Sequence, residues 1–270
     1  MDLGLTKATA FIAGASSGLG KAVARELLRE GARVAICSRS KKRIFAAAEQ
    51  LKKDVPEADT ILPVVCDVTD EAQIESALDQ TVDAFGGLNL LVSNAGGPAT
   101  GMIGDHSATD WRAALELNLM STINLCRHAL PYLRKAVASP SGLARILMIS
   151  SLSAKQPVPG LYLSNVSRAG VQGFAKSLSE ELGPEGITVN TILPGYTLTD
   201  RLAHLSESLN EQTGKSIEEI EAGWSSSSAL KRIGTEDEFA AAAVFLLSRR
   251  ASFITGVALT VDGGAVKSLL

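Results

Sequence analysis

Cysteine is scarce in this chain. Of 270 residues only Cys37, Cys66 and Cys126 are cysteines, widely spaced, with no CxxC or Cys/His pairing among them. That pattern excludes a disulfide framework, nominates no metal site, and fits a reducing compartment. Charge of one sign is missing too: 26 Lys and Arg face 29 Asp and Glu, a formal charge of −3, and no basic stripe appears. A nucleic-acid partner is therefore not expected. No apolar run approaches the roughly 20 residues that a membrane span needs. The N-terminal MDLGLTKATAFIAG lacks the charged stretch and long apolar core of a signal peptide. The expectation is a soluble, cytoplasmic protein with no membrane partner. No linker rich in Pro, Gly or Ser and no repeat at a fixed period divides the chain, so residues 1–270 read as one domain. The three histidines, His106, His128 and His204, are scattered and read as structural or solvent-facing.

What is present is alternation. Hydrophobic content of 46% is ample for a buried core, and it is arranged in short apolar runs separated by helical patterns. The runs predict strands at Ala8–Ala13, Arg33–Cys37, Ile61–Cys66, Leu88–Ser93, Arg145–Ser150, Thr188–Leu193 and Ala258–Val261. Between the first two, KAVARELLREG carries Ala22, Val23, Leu27 and Leu28 at helical spacing and stops at Gly31. After Thr69 and Asp70, EAQIESALDQTVDAFGG reads the same way and closes on a glycine pair. Strands and helices alternating in this manner predict βαβ units and a parallel sheet covered on both faces, so that its strands are apolar throughout. The fold class is α/β, a three-layered Rossmann-type doubly wound sheet. Residues 197–230 stand apart, polar and helix-prone. They read as a lid over a cleft at the carboxyl ends of the strands or, alternatively, as a surface helical hairpin.

The first strand runs into AFIAGASSGLGKAVAREL, which places Gly14 at the strand end and Gly18 and Gly20 at the entry to a helix. Glycines there allow a sharp turn and close approach of backbone to a pyrophosphate, and the helix N-terminus offers free N–H groups and a positive dipole end. Ser16 and Ser17 add hydroxyl donors. The plainer alternative is a tight turn without a ligand. The second strand ends in VAICSRSKKR, where a carboxylate would grip the adenosine ribose of NAD. Ser38 and Arg39 stand there instead, with Lys41, Lys42 and Arg43 beyond. A guanidinium without a neighbouring carboxylate suits a ribose phosphate, so NADP(H) is favoured over NAD(H), the plainer alternative being a solvated basic start to the next helix.

These motifs, in order and at these spacings, resemble those of the short-chain dehydrogenase/reductase family over essentially the whole chain, in a 3-oxoacyl-ACP-reductase-like form. The resemblance assigns the cofactor loop to Gly14–Gly20, Leu19 included, with Ala13 where a threonine is usual. It implies that Asp67 and Val68 of CDVTD meet the adenine, and that Asn94, Ala95 and Gly96 of SNAG line the cofactor. Asn118 corresponds to an asparagine that helps hold an active-site water. Pro194, Gly195, Thr197 and Thr199 of LPGYTLTD correspond to the segment beside the nicotinamide carboxamide. Homo-oligomers, dimers or tetramers, are implied as well, through segments such as Leu117–Leu133 and Val171–Leu182. Burial of those segments within one subunit fits the sequence equally.

The resemblance breaks at the catalytic segment. Family members carry a serine, a tyrosine thirteen residues later and a lysine four beyond that. Here Ser151 is followed at those positions by Ser164 and Arg168. Using Tyr162 instead would put Val166 at the lysine position, and Tyr162 lies about 200° around a helix from Ser164. Serine cannot replace a titrating phenol, and Arg168 keeps the positive charge and the capacity to bind the ribose without itself titrating. Three readings follow. The first is an NAD(P)(H)-dependent oxidoreductase acting on a small carbonyl or alcohol, with Ser151 and Ser164 orienting oxygen and Tyr196 or water supplying the proton. The second is a catalytically weak relative that serves as an NADP(H)-binding sensor or assembly subunit. The third, non-redox chemistry, has no base nominated for it.

Overall fold

The computed structural model describes residues 2–57 and 60–269. Seven strands form one parallel sheet: β1 (Thr9–Ile12), β2 (Arg33–Ser38), β3 (Ile61–Val65), β4 (Leu90–Ser93), β5 (Arg145–Ile149), β6 (Thr188–Pro194) and β7 (Ala258–Val261), in the order β3-β2-β1-β4-β5-β6-β7. Each expected strand is present, with ends shifted by no more than two residues. Chain order runs outward from β1 to β3 and then resumes at β4 on the other side of β1. The connections that leave β1 and β4 therefore turn to opposite faces of the sheet, and a crevice opens between them.

Helices α1 (Gly18–Arg29), α2 (Lys41–Asp54) and α9 (Glu236–Leu247) cover one face of the sheet. The other face carries α3 (Glu71–Phe85), α5 (Ser121–Ala138) and α6 (Tyr162–Leu182). Alternate residues of each strand serve the two faces, as period-two geometry requires: Ala10, Ile12, Val34 and Ile36 pack under α1 and α9, while Phe11, Ala35 and Leu91 pack under α3 and α5. All of these are at most 1% exposed, which is why the strands read as unbroken apolar runs. A fully buried Leu, Ile or Phe contributes about 1.5–3 kcal/mol relative to its exposed state, so both interfaces are needed. Asp70 caps α3 by accepting from the Ala72 and Gln73 N–H groups, and Gly86 ends it at φ 79°.

Three features lie outside this frame. The short α4 (Ala108–Leu115) continues through a wider turn at Glu116–Met120 into α5, and that turn buries Asn118. Residues of the predicted lid form two helices, α7 (Asp200–Thr213) and α8 (Ile217–Ser227), joined at Gly214. They share a small apolar cluster of Leu202, Ile220 and Trp224, against which Tyr196 packs. Among the described residues no helix is long and apolar enough to cross a membrane.

Candidate active site

The carboxyl ends of β1, β4, β5 and β6 surround a cavity of about 320 Å³. The glycine loop forms its floor. Gly14 leaves β1 at φ +59°, and a Cβ there would lie 2.8 Å from the Asn94 carbonyl oxygen. At Gly20 a Cβ would come within 2.7 Å of the Gly14 carbonyl oxygen, whose hydrogen bond from Asn94 Nδ2 measures 3.0 Å. Two missing side chains and one amide thus let α1 sit directly on the end of β1. Ser17 occupies the N-cap of α1 without capping it. Its Oγ instead accepts a 3.4 Å hydrogen bond from Arg43 Nη2. The first-turn N–H groups of α1 are left for an anion in the crevice.

On the opposite wall, α6 presents Ser164 and Arg168 one turn apart, and both line the cavity. Arg168 is only 7% exposed. Its guanidinium donates through Nη1 to the Ile149 carbonyl at 3.0 Å and through Nη2 to the Ala95 carbonyl at 3.2 Å, so it ties α6 to the ends of β5 and β4. Burial, and next the charge of Arg201, lower its pKa to about 10, which leaves it cationic at neutral pH. Ser151 caps the short turn Leu152–Ala154 by accepting from the Ser153 N–H at 3.1 Å. The Ser153 and Ser164 hydroxyls lie 3.2 Å apart. Ser151, Ser153 and Ser164 therefore form a hydroxyl row beside a buried cation.

Most of the expected site residues come together here. Gly14, Ser17, Gly18, Leu19, Asn94, Ala95, Gly96, Ser151, Ser164, Arg168, Pro194, Gly195, Thr197 and Thr199 all line the cavity. Thr199 caps α7 and faces Gly18 across the crevice. Others do not reach it. Ser16 stays in the loop beside it, and Gly20 is buried beneath. Ser38, Arg39, Asp67 and Val68 follow the strand ends outward, where Arg39 is exposed and the Asp67 carboxylate accepts from Thr69. Asn118 is wholly buried behind the wall. Its Nδ2 donates to the Ala114 carbonyl, Oδ1 has no partner among the described residues, and its carbonyl accepts from Thr122, which is in turn bonded to Ser93. Tyr162 begins α6 and is not part of the cavity lining, as its angular distance from Ser164 predicts.

Tyr196 does line the cavity, stacked on Trp224 with centroids 5.1 Å apart, and burial pushes its phenol pKa up, so it stays protonated. Two residues escape sequence reasoning, and Arg43 is visible there only as one member of the basic run after Ser38. Ser153 is signalled only by the serine-rich run after β5. Arg201 reaches from the first turn of α7 across the crevice to the Gly97 carbonyl, at 3.3 Å.

A doubly wound parallel sheet, a glycine turn into an uncapped helix and a crevice at the switch point define a dinucleotide-binding α/β protein. The comparisons narrow that class. Residues 14–266 match the family described as enoyl-(acyl carrier protein) reductase. The chain is 33% identical over 261 residues to tropinone reductase-like 3 of Erythroxylum coca, covering 96% of this chain and 93% of that one. L-sorbose reductase from Gluconobacter frateurii, solved with NADPH and L-sorbose, superposes with a TM-score of 0.92 at 31% identity over the full length of both chains. A short-chain oxidoreductase from Pseudomonas aeruginosa PAO1, solved with NADPH and described as containing an atypical catalytic center, gives a TM-score of 0.86 at 31% identity over 97% of each chain. This protein belongs to the short-chain dehydrogenase/reductase family of oxidoreductases.

Proposed function

We propose that this protein is an NADP(H)-dependent reductase of small carbonyl compounds in which a serine row and a buried arginine take the place of the tyrosine and lysine. The observation that carries the reading is Arg168, held by the Ile149 and Ala95 carbonyls beside Ser164. A buried guanidinium loses solvation, and its upkeep at the inner end of a cavity marks a functional position. The two solved relatives named above hold NADPH, which supports the choice of cofactor.

The glycine loop and the bare N-terminus of α1 fit a pyrophosphate, since a Cβ at Gly14 or Gly20 would fill the space that backbone needs. Arg43, beside Ser17, and Arg39, beyond Ser38, are the cations for a ribose phosphate, and Ser38 presents no carboxylate to repel one. A bound reduced nicotinamide supplies the hydride that a carbonyl carbon accepts. The chain must then hold the carbonyl and deliver a proton to its oxygen. Ser151 and Ser164 orient that oxygen by hydroxyl donation. Arg168 stabilises the negative charge that develops there, in a site where solvent does not screen it. Tyr196 keeps its proton and is the donor, and α7 and α8 close over the site as a lid. A positioned acid is worth about 10²–10⁴-fold in rate, so its exchange slows turnover without abolishing it.

The test compares the natural protein with the double variant Ser164→Tyr, Arg168→Lys for NADPH binding and for NADPH oxidation across ketones, quinones and imines. Binding and turnover are expected in the natural protein, and suppression of turnover in the variant. Activity confined to the variant would instead mark a disabled relative. Tight binding without turnover in either protein would favour a sensor or assembly subunit.

A further inference from the structure

Arg201 is unexplained by the reading above. It occupies the second position of α7, where the helix dipole disfavours a cation. No carboxylate lies within salt-bridge distance of it among the described residues. Its neighbour Asp200 also lines the cavity, but residues adjacent on a helix do not face each other. Arg201 is exposed as a residue, but its guanidinium rests against the loop at Gly97. A Cβ on Gly97 would stand 2.1 Å from Arg201 Nη2 and 2.4 Å from Cζ, so the absence of a side chain at 97 makes the seat.

Arg168 hangs on the Ala95 carbonyl and Arg201 on the Gly97 carbonyl, two residues further along the same loop. Fully extended chain spans at most about 7 Å over two residues, so the two cations share one cavity. The effect is visible in Arg168, whose proton is loosened by the charge of Arg201 after burial itself. Two like charges, neither paired with an acid, form a site that an anion completes. The pyrophosphate already has the N-terminus of α1. Arg201 reaches from α7 to the loop at Gly97, whose continuation pairs Gly101 with Leu161, and the cavity lining includes the apolar Val158, Leu161 and Leu205.

We propose that Arg201 recognises a carboxylate of the substrate, so that the carbonyl compound is an oxo acid. The proposal rests on the reading of this cleft as a carbonyl-reducing site.

The test uses 2-oxobutanoate and acetoacetate beside their ethyl esters as substrates, with NADPH affinity measured by calorimetry on the natural protein, Arg201→Met and Gly97→Ala. The acid-to-ester ratio of kcat/KM is expected to fall about 10²-fold in Arg201→Met, the scale of one charge-assisted pair, with NADPH affinity retained. Gly97→Ala is expected to lower the same ratio by evicting the guanidinium from its seat. A ratio unchanged in Arg201→Met overturns the proposal. So does a tenfold loss of NADPH affinity with the ratio intact, which would assign Arg201 to the cofactor pyrophosphate. If neither acids nor esters turn over, the carbonyl-reductase reading is what fails, and calorimetry with hexanoate and hexanamide on the NADP-loaded protein decides the anion seat. Hexanoate binding lost in Arg201→Met supports it, and equal hexanoate binding in both proteins overturns it.

Discussion

Replacing Gly20 with alanine sets two physical effects against each other at the base of the cofactor loop. Gly20 lies in the first turn of α1, so helix propensity alone favours alanine by about 1 kcal/mol. The structure opposes this. The new Cβ would meet the Gly14 carbonyl oxygen at 2.7 Å, Asn94 Nδ2 at 2.8 Å and the Ala15 Cα at 3.1 Å. Two of these are backbone atoms, and they cannot retreat. Hydrogen bonds from Ala13 N–H to the Val92 carbonyl (3.0 Å) and from Ala15 N–H to the Cys37 carbonyl (3.1 Å) pin Gly14 from both sides. Relief must come from α1 lifting off β1, an overpacking cost of about 1–3 kcal/mol. The Asn94 bond to Gly14 goes with it, at about 0.5–1.5 kcal/mol. After the propensity gain, the net loss is about 0.5–3.5 kcal/mol, and a loss near the middle of that range lowers Tm by about 4–8 °C in a domain of this size. Thermal unfolding followed by circular dichroism, with an NADPH titration in parallel, measures both consequences, and NADPH affinity is expected to fall as well. Gly18→Ala is the control. It carries the strain of φ +60°, about 1–2 kcal/mol, but meets nothing closer than Thr199 at 3.8 Å. A Tm for Gly20→Ala equal to or above that of the natural protein would refute the reasoning, because propensity would then have outweighed the contact.

Two further outcomes are expected. Arg43→Leu should weaken NADPH binding about tenfold, the worth of one charge-assisted contact, while NADH affinity moves less than twofold; equal losses for both nucleotides would assign Arg43 to the loop rather than to a phosphate. The start of α9 should be acid-sensitive, because the Arg232 guanidinium, and next the Thr235 N–H, hold Glu238 at a pKa of about 2. A depressed acid stabilises the folded state when ionised, so its contribution is whole above the ordinary glutamate pKa, about 4.3, and is lost as pH falls through about 2. The Tm difference between the natural protein and Glu238→Gln should therefore be constant above pH 5 and shrink below it, and a difference independent of pH would contradict the assignment.

The parts of the fold that were legible in the sequence are those that local chemistry determines. A strand buried on both faces has to be apolar at every position, so β1 and β2 show in the chain as AFIAG and VAIC. Gly14 and Gly20 are legible because the backbone leaves no alternative at either position. The position of Tyr162 away from the cavity follows from its place on a helix. Side chains that arrive from elsewhere are the ones that were missed. Arg39 is next to the expected ribose position but exposed, whereas Arg43 reaches back over 26 residues to Ser17, because Ser40 caps α2 and turns the helix's first residues toward the loop. Ser153 becomes the link between Ser151 and Ser164 only through the short turn at Leu152–Ala154, which one more or one fewer residue would break.

Arg168 shows why the distinction matters for mechanism. The spacing from Ser151 puts Ser164 and Arg168 where the family resemblance leads one to expect a tyrosine and a lysine, but a missing group says nothing of what its substitute does. A lysine here would carry a single compact charge on a flexible stem. The arginine is fixed at two carbonyls, that of Ile149 at the end of β5 and that of Ala95 two residues beyond the end of the adjacent β4, so its charge is held in place by the fold itself. Fixed charge costs no reorganisation when negative charge develops on a bound oxygen. On the proposed reading, a site without the titrating pair retains in this way the electrostatic share of catalysis and needs from its neighbours only a proton, for which the buried Tyr196 is the proposed source.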